Sequence, residues 1–208
     1  MTILIINNYK NQEKYEEKVQ EIKDALETLG KNDTCEMSFS NINKKKTYHN
    51  IEAVILSGSE AHLQDKADLD VYQAEIEFVK KTDLPVLGIC FGHELIGKTF
   101  GSKIESLSDF QSEPTKITIL EPDEIFSSWK TGQEIVVAQS HRDYVSNLPK
   151  RFICLAESET CPIEAMKHES KPIYSVQAHI ERATDQHPAG ELVLKNFISK
   201  SEKPEKIL

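Results

Sequence analysis

Apolar and polar residues follow two recurring patterns along the first half of the chain. Short apolar runs are typical of strands that are buried on both faces, whereas apolar residues at steps of three and four are typical of amphipathic helices. The predicted strands are Thr2–Ile6, Cys35–Phe39, Ala53–Leu56 and Val86–Ile89. The predicted helices are 13–29, which ends at Gly30, then 69–79, and a segment that runs through Thr99. Strands that alternate with helices indicate a parallel sheet with helices on both faces.

The second half of the chain has a different pattern. Its apolar segments are short and are separated by turn residues, which predicts antiparallel strands. These segments are Lys116–Ile119, Glu134–Val137, Phe152–Leu155 and Ile163–Met166, followed by a last strand at Ile173–Gln177 and a last helix at Ala189–Ser199. The sequence therefore predicts an α/β fold with a mostly parallel sheet, helices on both faces, and added antiparallel strands in the C-terminal half.

Length and charge limit the class of protein. A chain of 208 residues can bury a full core as one domain. We expect that domain to span residues 1–200, followed by a charged C-terminal tail at 201–208. The formal net charge of −9 argues against nucleic acid or an anionic membrane surface as a partner.

The cysteines and the absence of several motifs argue against a secreted, membrane-spanning, nucleotide-binding or zinc-binding protein. The four cysteines are widely spaced and form no CxxC pair, which is typical of reduced thiols in a cytosolic protein. The sequence has no apolar stretch of membrane-spanning length and no signal-peptide layout. Glycine-rich phosphate loops are absent, and Cys90 and His93 lack the second ligand pair of a zinc site. We therefore expect a soluble cytoplasmic protein with no metal and no cofactor.

Cys90 lies where the predicted strand Val86–Ile89 gives way to a helix. Helix N–H groups favour a thiolate there, and Gly88 and Gly92 allow the sharp turn of a nucleophile elbow with an exposed sulfur. The alternative interpretation is a small buried cysteine with no chemical role.

A thiol nucleophile needs a base, and the base needs an orienting partner. His179 follows the buried run Ile173–Gln177, and Glu181 lies two residues further on. In extended geometry both side chains point to the same face, so the glutamate can orient the imidazole toward a thiol. An exposed loop is the alternative interpretation of this pair.

Two other polar stretches follow predicted strands. Ser57-Gly58-Ser59 can direct a backbone N–H toward an oxyanion, or it is an ordinary turn. Ser140–Asp143 can line a polar pocket, or it is a surface loop. The strand-end positions of Ser57–Ser59 and Cys90 would bring them to the same edge of a parallel sheet.

These stretches carry a family resemblance. Gly88–His93 resembles the nucleophile motif of class I glutamine amidotransferases, Tyr174–Glu181 resembles their histidine–glutamate motif, and Ile55–Ser59 resembles their oxyanion turn. Within that family, Ser140–Asp143 and Glu159–Met166 are most similar to the glutaminase part of GMP synthase in its archaeal form, where the glutaminase is a separate polypeptide.

The resemblance extends over residues 3–197 and implies a flavodoxin-like fold and a glutaminase activity. Glutamine would be hydrolysed through a cysteine thioester, and the ammonia would pass to an ATP-dependent synthetase, which in GMP synthase aminates XMP. The residues implied are Cys90, His179 and Glu181 as the catalytic triad, Ser59 and Phe91 at the oxyanion, and Gly58, Glu94, Ser140, His141, Arg142 and Asp143 for substrate binding.

The chain departs from the family pattern near the nucleophile. Glu94 stands where the family has a glutamine that helps to hold the substrate. An ionised, unpaired carboxylate there should weaken glutamine binding or favour another γ-glutamyl compound. This would not apply if Glu94 were protonated or paired with a cation, for which Arg142 is the candidate. Ser59-Glu60 replaces Gly-Pro, which would strain a backbone that needs a positive φ. Ala178 and Ile180 replace Phe and Pro, which should loosen the packing around His179.

Three functions therefore remain open. The first is a glutaminase subunit that supplies a synthetase. The second is a stand-alone γ-glutamyl hydrolase or peptidase of the same superfamily, which Glu94 would favour. The third is a regulatory subunit with weakened catalysis, which the substitutions around the oxyanion turn and His179 would favour.

Overall fold

The computed structural model describes residues 1–44 and 50–202, so the last six residues of the expected tail lie outside it. The strands are β1 (Thr2–Asn7), β2 (Thr34–Ser38), β3 (Ile51–Leu56), β4 (Val86–Ile89), β5 (Ile104–Gln111), β6 (Thr115–Ile119), β7 (Glu134–Val137), β8 (His141–Val145), β9 (Phe152–Glu157), β10 (Ala165–His168) and β11 (Ile173–Val176). The α-helices are α1 (Glu16–Thr28), α2 (Lys66–Val71), α3 (Gln73–Lys81), α4 (Phe91–Thr99) and α5 (Ala189–Ser201). Short 3-10 helices span Phe39–Lys44, Glu124–Phe126 and Ile180–Arg182.

One large sheet holds nine of these strands in the order β2-β1-β3-β4-β11-β10-β9-β6-β7. Strands β2, β1, β3, β4 and β11 are parallel to one another, and the remaining neighbours are antiparallel. Strands β5 and β8 form a separate antiparallel pair. The predicted α/β fold, with antiparallel strands added in the C-terminal half, is confirmed.

Both faces of the large sheet are covered. Along β1, Ile3 and Ile5 join the apolar cluster that contains α1 and α5, while Leu4 and Ile6 join the cluster that contains α3 and α4. Successive residues of a strand point to opposite faces, so a strand that is apolar throughout needs a helix layer on each side. This is why the buried strands could be recognised as continuous apolar runs.

Several boundaries differ from the prediction. The helix expected over 69–79 is divided at Tyr72, which is buried and donates a hydrogen bond of 2.5 Å from its hydroxyl to the backbone oxygen of Asn8. The strand expected at Ile163–Met166 begins two residues later. Strands β5 and β8 were not predicted, because most residues of β5 are exposed and polar and carry no apolar pattern.

The C-terminal end of the described chain is helical. Helix α5 continues to Ser201, whose side chain is buried, and Lys31 forms an ion pair with Glu202. The expected tail therefore begins after Ser201, and the extent of the domain stays a prediction. None of the helices within residues 1–44 and 50–202 combines the length and the apolarity needed to cross a bilayer.

Candidate active site

Cys90 occupies a tight turn between β4 and α4. Its backbone lies at φ 52° and ψ −107°, a conformation that is rare for a residue with a side chain. A methyl group added at Gly88 would lie 2.5 Å from the backbone oxygen of Gly92, and one added at Gly92 would lie 2.5 Å from that of Leu56. Both glycines are therefore required by close backbone approach, as expected for a nucleophile elbow.

The sulfur is less exposed than the sequence suggested. Cys90 is only 6% exposed. It nevertheless lines two cavities, which share part of their lining. Small molecules would reach it through these cavities rather than from an open surface.

His179 lies just beyond β11, where its backbone N–H donates a hydrogen bond of 2.9 Å to Ala138. Its side chain lines the same cavity as Cys90 and is close enough for the sulfur to influence its pKa, and its Nδ1 lies 2.6 Å from Oε1 of Glu181. The expectation of extended geometry at this point is wrong, because Ile180–Arg182 form a 3-10 turn. The turn itself brings the glutamate back to the imidazole, so the three side chains still meet.

Electrostatics favour a charged imidazole in this cluster. Burial alone lowers the pKa of His179, but the negative charges of Glu181 and Cys90, and hydrogen bonds to both, outweigh burial and raise it to about 10. An imidazolium beside the sulfur is what a thiolate nucleophile needs.

Packing around His179 is close rather than loose. Ala178 and Ile180 are both buried, and a methyl group added at Gly190 of α5 would lie 2.4 Å from the backbone oxygen of Ile180. The loosening expected from the substitutions at these two positions is therefore not seen.

The turn Ser57–Ser59 faces the same cluster. Asn8 stabilises the turn through two hydrogen bonds. Its Nδ2 donates to the backbone oxygen of Ser57 at 3.1 Å, and its backbone oxygen accepts from the Ser59 hydroxyl at 2.8 Å. The φ angle of Ser59 is not positive, so the expected backbone strain is absent. A methyl group added at Gly58 would lie 3.1 Å from the Tyr9 hydroxyl and 3.3 Å from Cε1 of His179.

Phe91 is the first residue of α4 and is buried. The first N–H groups of a helix have no partner within it, so the position is suited to donate to an oxyanion. That role, like the role of Ser59, stays a prediction.

The larger of the two cavities at Cys90 has a volume of about 390 Å³. It contains every predicted substrate-binding side chain, while Gly58 lies beside His179 as described above. Its lining residues are Ser59, Glu60, Ala61, His62, Cys90, Glu94, Phe110, Ser140, His141, Arg142 and Asp143.

The predicted loop Ser140–Asp143 is mostly strand, because His141 opens β8. The Ser140 backbone oxygen lies 3.9 Å from the Cys90 sulfur. The Asp143 carboxylate accepts hydrogen bonds from Ser106 at 2.6 Å and shares one of 2.8 Å with Nδ1 of His62. Sequence reasoning missed His62, which follows the oxyanion turn in no recognisable motif.

Glu94 is buried in the first turn of α4, and its Oε1 accepts a hydrogen bond of 3.3 Å from Gln177. The candidate pairing with Arg142 is not formed, because Arg142 Nε donates instead to the backbone oxygen of Leu107. No cation of the described residues forms an ion pair with Glu94. Burial and the charge of Asp143 raise the pKa of Glu94 to about 8.

The second cavity lined by Cys90 has a volume of about 310 Å³ and also contains His179 in its lining. Sequence reasoning missed Tyr9, Phe110 and Arg182 in its lining. Burial and the charge of Cys90 raise the pKa of Tyr9 far above its usual range, so that its hydroxyl stays neutral. Phe110, which is 60% exposed, borders both cavities.

His93 contributes to the core. Its Nδ1 lies 2.8 Å from the Ser175 hydroxyl, and burial lowers its pKa to about 3. In the part of the chain that the structure describes, no three His, Cys, Asp or Glu side chains are grouped to hold a metal ion.

Comparisons with known proteins agree with this arrangement. The family model described as glutamine amidotransferase class-I matches residues 5–200. The glutamine-hydrolyzing GMP synthase subunit of Pyrococcus abyssi is 48% identical over 122 residues, which are 59% of this chain and 63% of that relative. The corresponding GMP synthase subunit of Methanocaldococcus jannaschii is 30% identical over 86% of this chain and 89% of its own.

A solved structure of a glutamine amidotransferase from Thermotoga maritima aligns with a TM-score of 0.75 at 14% identity, covering 97% of each chain. That likeness shows the fold. The match to the P. abyssi relative spans less than two thirds of that protein's length.

Proposed function

Because the chain belongs to the glutamine amidotransferase class-I family, we propose that it hydrolyses the side-chain amide of glutamine and supplies the ammonia to a synthetase. The observation that carries this proposal is that Cys90 and His179 line one cavity and that His179 is hydrogen-bonded to Glu181. The cluster joins a nucleophile, a base and an orienting carboxylate, which are the parts that amide hydrolysis through a thioester requires.

In the proposed reaction the Cys90 sulfur attacks the amide carbon and forms a C–S bond. Backbone N–H groups near Ser59 and at Phe91 stabilise the oxyanion, and each such donor contributes about 3–4 kcal/mol in comparable sites. His179 then gives its proton to the leaving nitrogen as the C–N bond breaks, and ammonia departs. In the second half, His179 removes a proton from water, which attacks the thioester and releases glutamate and the thiol.

We propose that the larger cavity holds the substrate. Glu94 is mostly a neutral acid at pH 7, given its pKa of about 8. A protonated carboxyl group has one O–H donor and one carbonyl acceptor, so it can make the kind of hydrogen bonds that an amide makes. Glu94 would thus be compatible with glutamine without a neighbouring cation. His141 and Asp143 would contact the polar groups of the same substrate.

The partner we propose is an ATP-dependent synthetase of the GMP synthase type. The names of the P. abyssi and M. jannaschii relatives, both glutamine-hydrolyzing subunits of GMP synthase, support this proposal. XMP would then be the final acceptor of the ammonia. The cytoplasmic location expected from the sequence stays a prediction.

The proposal is tested by measuring glutamate release from glutamine, with the protein alone and with a GMP synthetase, ATP and XMP. We expect hydrolysis that depends on Cys90, with GMP formed in the complete mixture. Cys90→Ala should abolish it, whereas Cys154→Ala, a cysteine outside both cavities, should not. Absence of turnover under both conditions would refute the proposal.

The acidic character of the larger cavity favours a second candidate, a stand-alone γ-glutamyl hydrolase. Glu60, Glu94 and Asp143 line this cavity, and three carboxyl groups there suit a substrate with more donors than glutamine. This candidate predicts faster turnover of γ-glutamyl amines or peptides than of glutamine when no partner is present.

A further inference from the structure

Arg182 links helix α1 to the cluster around Cys90. Its Nε lies 2.6 Å from Oε2 of Glu21 and 3.9 Å from Oε1 of Glu181. The same Glu181 oxygen lies 2.6 Å from His179. Charges of opposite sign therefore alternate from Glu21 through Arg182, Glu181 and the His179 imidazolium to the sulfur.

Glu181 needs such a neighbour because it is buried. Its side chain is 2% exposed, and its Oε2 has no hydrogen-bond partner. An ionised carboxylate removed from water is unstable unless a nearby cation or hydrogen bonds compensate it. Only His179 and Arg182 form ion pairs with Glu181 among the described residues.

Arg182 is itself fixed from the other side. Glu21 accepts from Arg182 and lies 2.8 Å from Lys18, so one carboxylate anchors two cations. Burial lowers the pKa of Arg182, but the charges of Glu181 and Glu21 outweigh burial and raise it, which keeps the guanidinium charged. The side chain is therefore a permanent positive charge at a fixed position.

We propose that Arg182, anchored by Glu21, is a positioning residue that holds the Glu181 carboxylate directed at His179. This inference rests on the proposed function, because it acts through the same triad. It also means that the geometry of α1 is coupled to the nucleophile, since Glu21 belongs to α1.

Other groups face this pair and define its electrostatic setting. Tyr9 stays neutral and adds no charge, and the Cys90 sulfur lies on the far side of the imidazole from Glu181. On the outer side, a groove of about 470 Å³ next to Arg182 carries two further carboxylates. The charged and titratable groups around Arg182 and Glu181 are Tyr9, Lys18, Glu21, Asp24, Cys90, His179 and Glu191.

The sign of the expected effect follows from this setting. Loss of Arg182 leaves Glu181 with one ion-pair partner instead of two. The carboxylate is then held less firmly against the imidazole, which orients His179 poorly for catalysis. Because Arg182 acts through the triad and not on the substrate, kcat should fall in Arg182→Ala while KM changes little.

The test compares four variants across pH 5 to 9: Arg182→Ala, Arg182→Gln, Arg182→Lys and Glu21→Gln. Lys116→Ala is the control, because it removes an exposed ion pair with Glu134, and neither residue lines a cavity at Cys90. We expect Arg182→Ala and Arg182→Gln to lose about tenfold in kcat, with little change in KM. Arg182→Lys should restore most of it, Glu21→Gln should show an intermediate effect, and the control should match the wild type.

Arg182→Gln keeps most of the side-chain length, so it maintains the test if Arg182→Ala does not fold. A change in KM alone, or a loss of kcat that Arg182→Lys does not rescue, would assign Arg182 a packing role and overturn the inference.

A readout that needs no turnover separates this inference from the proposed function. The rate at which iodoacetamide alkylates Cys90 at pH 7.5 should be lower in Arg182→Gln than in the wild type, because a displaced Glu181 holds the imidazole poorly beside the sulfur. An unchanged rate would overturn the inference even if glutamine is hydrolysed. A lower rate in a protein that hydrolyses no γ-glutamyl compound would support it while the proposed function fails.

Discussion

The side-chain amide of Gln177 donates a hydrogen bond of 3.3 Å to Oε1 of Glu94, on the wall of the cavity that leads to Cys90. The bond joins an amide to a buried carboxyl group that forms no ion pair among the described residues. The Glu94 carboxyl group is therefore mostly neutral at pH 7 in the folded protein, and its ionisation at higher pH should affect both activity and stability.

Activity toward glutamine should fall as the pH rises through about 8, because the pKa of Glu94 lies there. Ionisation would remove an O–H donor and add a negative charge beside Asp143. Glu94→Gln keeps the shape and cannot ionise, so it should retain kcat/KM above pH 8 while matching the wild type at pH 6.5. Identical alkaline limbs in the two proteins would show that another group is responsible.

The free energy of unfolding should also depend on the protonation of Glu94. The folded-state pKa of Glu94, about 8, lies above the ordinary value of 4.5 for a glutamate, so the folded state binds the proton more tightly than the unfolded one. Stability from this group is present below pH 4.5 and is lost as the pH rises toward 8. Glu94→Gln should therefore raise the melting temperature more at pH 8 than at pH 5, and an equal change at both pH values would contradict the assignment.

His179→Ala should lower kcat by about 10²–10⁴-fold, the usual contribution of a general acid–base group. Glu181→Gln should cost less, because the base remains although its orientation is weakened. Steady-state kinetics at pH 7.5 would measure both. A larger loss in Glu181→Gln than in His179→Ala would reverse the proposed roles.

Gly58→Ala should damage catalysis without unfolding the protein. The new methyl group would lie 3.1 Å from the Tyr9 hydroxyl and 3.3 Å from Cε1 of His179, so the imidazole must shift. Tyr9→Phe removes the nearer of these two atoms, and the double variant should recover part of the lost kcat. Equal activities of the single and double variants would show that the Tyr9 hydroxyl is not what resists the methyl group.

Much of this arrangement could be predicted from the sequence, because the strands that carry it are buried on both faces and read as apolar runs. Cys90 and His179 follow two such runs, β4 and β11, which are neighbours in the sheet. The polar strand β5 could not be recognised, since its residues are mostly exposed.

The parts that escaped prediction depend on tertiary contacts. The expected strain at Ser59 does not arise, because its φ is not positive, and its hydroxyl bonds to the backbone oxygen of Asn8 across the turn. The charge state of Glu94 depends on burial, and the contact of Arg182 with Glu21 joins residues far apart in the chain. Neither can be deduced from local sequence.

The central claim is that Cys90, next to His179, is the reactive thiol of this chain. Burial raises the pKa of Cys154 to about 11 and that of Cys161 still further, so these thiols should be unreactive at neutral pH. The most direct measurement is treatment with a glutamine-analogue electrophile at pH 7.5, followed by mass spectrometry of the peptides. We predict one adduct, at Cys90, formed much more slowly in His179→Ala. Modification at another cysteine, or an equal rate in the two proteins, would contradict the account.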